Sequence, residues 1–407
     1  MIKEPSLMNW SGFFTLLGYN DRWKQSIRLI HPWLHKKAVE RFYPSQQRQA
    51  RLLLQRLLQT SHRTRTSDEL EAEFYRTLAA TLAQSVYGYE IKSSNDPLLL
   101  NIRVATENLA KAALPSNFLV NLFPALRYVP DWLPGTAWKA TAQRWRDQQE
   151  HAVDSAYYWA KSQVAKGECE HSIVASLVGQ GERLGLEPDE VDDYVKQIAV
   201  TLFGGKRRRH PTLLIFVLAM LLFPQAQSKA QQEIDDIVGS SRLPTMEDRP
   251  KLKYTERLIN EVLRWRPAVP AGVPHACSED DTYQGCHIPK GAIVIGNIWA
   301  MNHDPEIYEN PEAFDPDRFL DSTLPLPSTF GFGRRICPGL HYAQAALFIS
   351  IASILATFNI TFAKDTDGKD IVPTPDSENS ITYHPKLFKL QLTPRSNWHK
   401  ELICSSE

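Results

Sequence analysis

Residues 330–339 read Phe-Gly-Phe-Gly-Arg-Arg-Ile-Cys-Pro-Gly, and no other stretch constrains the chain's fold and chemistry as tightly. The run follows the Pro-rich loop Leu324-Pro-Leu-Pro-Ser-Thr329. It precedes a segment with Leu340, Ala343, Ala346, Leu347, Ile351 and Leu355 at helical spacing. Gly331 and Gly333 permit backbone geometry that a Cβ resists, so the loop can turn its amides toward a sulfur lone pair. Those amides, with the positive end of the following helix, stabilise a thiolate on Cys337, and a thiolate is a strong metal ligand. Taken alone, Cys337 reads equally as a small buried hydrophobe after a glycine turn.

Charge and cysteine usage exclude several alternatives. Lys plus Arg and Asp plus Glu number 46 each among 407 residues, so no global field draws the chain to nucleic acid or an anionic membrane. The five cysteines, at 169, 277, 286, 337 and 404, are scattered, with no CxxC pair, which points to a reducing compartment or a cytosol-facing domain. Residues 1–23 are interrupted by Asn, Gly and Asp and read as no membrane anchor. The longest apolar run, Thr212–Phe223, is shorter than the roughly 20 residues a bilayer span needs and reads as a core helix buried on all sides.

Amphipathic periodicity predicts helices over Gln46–Leu58, Asp68–Val86, Trp138–Gln163, Glu187–Phe203 and Pro224–Val238, with stops in the Pro-containing stretches 128–135 and 242–250. After Pro267 the texture changes. Thr282–Gly291 reads as a hairpin turning at glycine, followed by the apolar run 292–299, and the tail 381–394 alternates as a strand does. The expected fold class is α+β, mainly α, in one domain over 1–407, and no fixed-period repeat suggests a solenoid.

In the segment 253–267, Glu261 and Arg264 lie three apart on one helix face, Leu258, Val262 and Leu263 can face a core, and Pro267 ends the helix. With the decapeptide, this pair resembles the cytochrome P-450 family. The signature Phe-x-x-Gly-x-Arg-x-Cys-x-Gly is met by Phe330, Gly333, Arg335, Cys337 and Gly339 at every fixed position, and Glu261-x-x-Arg264 matches the family's Glu-x-x-Arg motif. The resemblance covers nearly the whole chain. It implies haem b (iron protoporphyrin IX) with Cys337 as axial ligand, a thiolate that favours O–O cleavage, and Gly339 letting the next helix approach the macrocycle. It also implies that Arg318 of Phe314-Asp-Pro-Asp-Arg-Phe319 completes a charge network with Glu261 and Arg264. His275 and Arg335 are implied partners of haem propionates. Trp23 resembles the start of a Trp-x-x-x-Arg element, a third implied partner of the haem carboxylates, but Ile27 stands where Arg is usual, and Arg28, one residue later, either substitutes for it or faces solvent.

The oxygen-activating segment departs from the family pattern. After Leu202-Phe203-Gly204-Gly205 come Lys206, Arg207, Arg208, Arg209, His210 and Pro211, so Arg207 and Arg208 stand where an acid and a Thr should be. Cations beside a macrocycle are costly to desolvate, and Pro211 kinks or breaks a helix. Three explanations stay open: Thr212, one turn on, acts instead; the protein binds haem without monooxygenation; or a reading-frame or splice error replaced the segment, since codon degeneracy lets a shifted frame spell Ala-Glu-Thr-Ser. A nuclear-localisation reading of the basic run is opposed by its apolar flanks.

No phosphate-cradling loop is present, so the resemblance implies electrons from an NADPH-dependent flavoprotein reductase. It further implies O2 and a small apolar substrate, no nucleic acid, and a monomer. Segments such as 220–239, 261–275 and 297–320 resemble fungal microsomal members, especially the O-methylsterigmatocystin oxidoreductase-like group, in secondary metabolism or xenobiotic oxidation. That group faces the cytosol from the endoplasmic-reticulum membrane. This chain, beginning near the family's third long helix without anchor, hinge or first strands, is expected to be cytosolic or peripheral. The competing expectation is a haem-binding pseudoenzyme or inactive fragment.

Overall fold

The computed structural model describes residues 1–114, 117–168, 172–180, 186–204, 210–378 and 382–405. The helices are α1 (Asp21–Leu34), α2 (Tyr43–Gln59), α3 (Ser67–Tyr87), α4 (Pro97–Ala113), α5 (Ala137–Ala165), α6 (Ile173–Gly179), α7 (Pro188–Gly204), α8 (His210–Leu222), α9 (Pro224–Ile237), α10 (Lys253–Trp265), α11 (Ile298–Asn302), α12 (Leu340–Thr357) and α13 (Asn397–Ser405). The strands are β1 (Arg65–Thr66), β2 (His275–Ala276), β3 (Asp281–Tyr283), β4 (Cys286–Ile288), β5 (Ile293–Val294), β6 (Phe358–Lys364), β7 (Asp370–Ile371) and β8 (Lys389–Pro394). This is the helix-dominated α+β class expected. The five predicted helices appear as α2, α3, α5, α7 and α9. The basic run Lys206–Arg209 and Cys169 lie outside the described residues.

Two compact units emerge. The first comprises Met1–Trp33 and Ala79–Arg207 and is helical among its described residues. Asp96 starts α4 by accepting the Leu98 amide at 3.0 Å, with Pro97 at the first helical position, where its missing N–H costs nothing. α4 packs on α5, and α5 packs on α6 and α7. The chain ahead of α1 folds inward, burying Leu7, Met8, Trp10 and Phe13 against Ala112 of α4, Ala142 and Val153 of α5, and Val200 of α7.

The second unit comprises Leu34–Leu78 and Arg208–Glu407. Its centre is α8, whose residues Leu213–Leu221 are each at most 2% exposed. A helix apolar on every side must be enclosed, and α8 packs on α9, α10, α12 and β6. Pro211 occupies the first turn of α8. α12 is the one described helix long and apolar enough to cross a bilayer, and it is largely buried within the protein.

An antiparallel sheet in the order β1-β8-β6-β7 flanks this core. Gln227 of α9 completes β6 from the side: its amide nitrogen donates to the Ile360 carbonyl at 3.0 Å and its carbonyl accepts the Ile360 amide at 2.8 Å. The predicted hairpin is β3–β4, turning through Gln284 and Gly285 at φ +48° and +80°, the conformation of a two-residue type I′ turn. The apolar run after it is a strand only at β5, which pairs with β2, His275 opposite Val294. Phe216 is 0% exposed, so Phe216→Ala should lower unfolding free energy by about 3–5 kcal/mol, read as a shift of the denaturant midpoint.

Candidate functional site

α10 ends at Trp265, and Pro267, two residues on, cannot continue it. Leu258, Val262 and Leu263 face the core as predicted. The opposite stripe carries Glu261 and Arg264, each with a side chain 0% exposed. An ion pair so deeply buried persists only where the geometry is excellent and the leftover hydrogen-bonding capacity is used.

Here it is used completely. Arg264 donates through Nε and Nη2 to both oxygens of Glu261 at 2.8 Å. Its other donors reach the carbonyls of Asn302 (2.9 Å), Pro311 (2.8 Å) and Ala313 (3.0 Å). All five guanidinium N–H groups are therefore placed. Arg318 donates from Nε to both Glu261 oxygens at 3.1 Å, and from its other nitrogens to the carbonyls of Glu309 and Ala313. The Asp315 amide donates to Glu261 Oε1 at 2.8 Å. One carboxylate thus joins two cations and the segment 309–318.

The network reaches the cysteine loop through Asn302, a residue that sequence reasoning missed. Asn302 is 1% exposed; its Oδ1 accepts the Ser328 amide at 3.3 Å while its backbone carbonyl accepts Arg264. Thr329 Oγ1 donates to the Leu263 carbonyl at 3.1 Å, a second tie between α10 and the approach to Phe330. The one available signal was an amide residue in an otherwise apolar helix, Ile298-Trp-Ala-Met-Asn302.

The loop itself closes on the Cys337 amide, which donates to the Phe330 carbonyl at 2.8 Å. Gly331 and Gly333 have φ of +81° and +52°, so the left-handed geometry expected of these glycines is present. The Cys337 carbonyl accepts the Leu340 amide at 3.1 Å, which sets Cys337 just ahead of α12, and its thiol is unoxidised and partly exposed. Phe332 and Ile336 flank it, each 45% exposed, an apolar surface that a flat hydrophobic group would cover. Gly296 makes room for that arrangement, since a Cβ there would lie 3.2 Å from the Phe332 ring. A free thiol at a helix start, with apolar faces beside it and a cradle only glycine permits, suits a haem.

The other predicted residues are dispersed. Arg335 lies in the loop, and partial burial lowers its pKa. His275 is exposed on β2. Trp23 is 7% exposed within the first unit, and its amide donates to Asn20 Oδ1. Arg28 is exposed and lines a surface groove with Lys24, Gln25 and Tyr194. Five residues apart on one helix, Trp23 and Arg28 point about 140° from one another. Thr212 is 3% exposed in the first turn of α8. Glu261→Gln, which leaves Arg264 and Arg318 buried with reduced compensation, should cost about 3–5 kcal/mol; calorimetry reads this as a lowered melting temperature.

The family model described as Cytochrome P450 matches residues 2–392. Cytochrome P450 monooxygenase 58 of Postia placenta is 38% identical, covering 97% of this chain and 75% of that protein. Cytochrome P450 monooxygenase claR of Ampulloclitocybe clavipes is 35% identical, covering 98% and 74%. A zebra fish cytochrome P450 solved with progesterone superposes with a TM-score of 0.79 at 25% identity, covering 97% of this chain and 87% of that one. A second zebra fish structure, with abiraterone, gives 0.76 at 24% over 96% and 87%. A haem-type cysteine loop tied to a buried Glu–Arg–Arg network, in a chain matched almost end to end, belongs to the cytochrome P450 family of monooxygenases.

Proposed function

We propose that the chain binds haem b through Cys337 and inserts one oxygen atom from O2 into a small apolar organic molecule, in fungal secondary metabolism or xenobiotic oxidation. The observation that carries this reading is Cys337 itself, held by a glycine-hinged loop at the start of α12. Bound there, haem supplies the oxygen chemistry that thiolate ligation favours. The protein's part is positional. With iron bound, the sulfur would sit just ahead of the α12 N-terminus, whose positive end favours a ligating anion, and the Glu261 network ties down the approach to Phe330.

Arg335 and His275 are the proposed partners of the haem carboxylates; the lowered pKa of Arg335 reflects burial that an adjacent anion would offset. Trp23 and Arg28 are weaker candidates, Arg28 for its exposure. Thr212 is the residue proposed to hold a proton in place of the family's Thr. Electrons would come from an NADPH-dependent flavoprotein reductase at the cytosolic face of the endoplasmic reticulum, with the chain a monomer. The match over residues 2–392 supports reading 1–407 as one family domain.

One sequence observation favours a second reading. Lys206–Arg209 stand between Gly204, the last residue of α7, and His210, the first of α8, where the family carries an acid and a Thr. Under that reading the chain binds haem and does not turn over. Cys337→Ser should abolish the red-shifted carbon monoxide band of the reduced, haem-loaded protein, with far-UV circular dichroism unchanged. Persistence of the band in the variant would remove Cys337 from the iron. Incorporation of 18O from O2 into product, with a reductase supplied, separates the enzyme from the inactive haem protein.

A further inference from the structure

Within the second unit, α10 and α11 meet at a histidine whose protonation state the geometry fixes. His303, at the end of α11, has Nδ1 2.9 Å from the Trp299 carbonyl and Nε2 3.4 Å from Arg266 Nη1. A carbonyl only accepts and a guanidinium only donates, so Nδ1 carries the hydrogen and Nε2 offers its lone pair. The ring makes both bonds only when it is neutral. Its face lies on the Trp299 indole, with centroids 4.0 Å apart and planes at 13°.

Arg266 depends on that lone pair. It is 8% exposed, lies over the Trp265 and Trp299 rings at 4.4 and 4.9 Å, and has no partner for Nε. Nη1 also donates to the Trp265 carbonyl at 2.9 Å, while Glu312 stands at 3.5 Å with its side chain largely in solvent. Tyr383 hydrogen-bonds the guanidinium as well. A buried cation with few acceptors loses much when one is withdrawn.

The contact bears on the cysteine loop. His303 directly follows Asn302, which binds Arg264 through its carbonyl and the Ser328 amide through Oδ1. The other end of α11 is held by the Trp299 amide donating to the Pro270 carbonyl at 2.9 Å. A helix of five residues has too few bonds of its own to stand alone, so these ties set where Asn302 lies.

We propose that His303 is a positioning residue for Cys337: its neutral imidazole latches α11 to Arg266, and acid opens the latch and loosens the loop that carries the ligand. This rests on the haem-binding reading above. Protonation turns Nε2 from acceptor to donor in front of a guanidinium and places a third cation beside Arg264 and Arg266. Burial first, then Arg264 and Arg266, hold the His303 pKa below its ordinary value; the Trp299 carbonyl, Glu312 and the indole face oppose them. α11 has no charged side chain, nor has the turn Ser328–Phe330 packed on it, and the Asp304 carboxylate accepts the Glu306 amide. Because the fold favours the neutral ring, its stabilisation is complete above the unfolded value of about 6.5 and is lost as pH falls through the lower, folded one.

The test follows the red-shifted carbon monoxide band of the reduced, haem-loaded chain from about pH 8 to about pH 5 and reads the rate at which it is lost. In the wild-type chain that rate should climb in acid by up to about tenfold per pH unit, the limit for one proton. His303→Gln can make both hydrogen bonds without titrating and should remove this component, each protein's rate at the alkaline end serving as its own baseline. His341 and His399, whose pKa values burial also lowers, still titrate in the variant, so only the component removed is assigned to His303. Arg266→Met, with one cation fewer beside the ring, should move the step to higher pH. Identical acid profiles for wild type and His303→Gln would overturn the latch; if that variant folds poorly, a step that Arg266→Met leaves in place does so instead. Should the wild-type chain show no band even at the alkaline end, the haem-binding reading fails, and the same pH series read as denaturant midpoints decides His303 separately.

Discussion

The carboxylate of Glu261 is fully buried between two guanidinium groups, and the placement of Cys337 depends on it. Burying three charges is expensive, and attraction repays that only when every donor has a place. Arg264 fills all five of its donors, three on carbonyls contributed by residues 302–313. The segment that presents those carbonyls runs on from the end of α11 without regular structure, and it is held also by Trp265 Nε1 donating to the Glu312 carbonyl and Tyr308 Oη donating to the Pro325 carbonyl. Asn302 then carries the constraint on to Ser328, two residues before Phe330. A salt bridge of this kind is a register pin for the loop that follows it more than a source of stability.

Much of this was legible from residue pattern. The long amphipathic helices are written by side-chain period, and α8 by its lack of polar residues over two and a half turns or more. The Glu261–Arg264 pair and the decapeptide are local, with spacing that a helix or a turn converts directly into geometry. What escaped was non-local. The two-residue strand β1 has no strand signal of its own and exists because Arg65 and Thr66 pair with Leu390 and Lys389. The carbonyl cage around Arg264 involves backbone groups, which carry no identity in a sequence. The role of Gly296 appears only once Phe332 is seen against it. α4 was readable from Asp96-Pro97, a cap followed by proline at the first helical position, yet it was not among the helices expected.

The two units divide the labour unequally. The second contains the cysteine loop, the charge network and the small sheets, all tied by hydrogen bonds with particular partners. The first is helical among its described residues and has a cluster around Trp10 built from apolar contacts. Apolar packing tolerates change in outline, whereas a satisfied polar network does not.

Whether the buried network delivers Cys337 to iron as a thiolate is open to direct measurement. Electron paramagnetic resonance of the ferric, haem-loaded chain reads the axial ligand directly. A low-spin signal with the narrow spread of g values that sulfur ligation produces is the expected result. A wide spread characteristic of two nitrogen ligands, or only a high-spin signal from unligated haem, would contradict it.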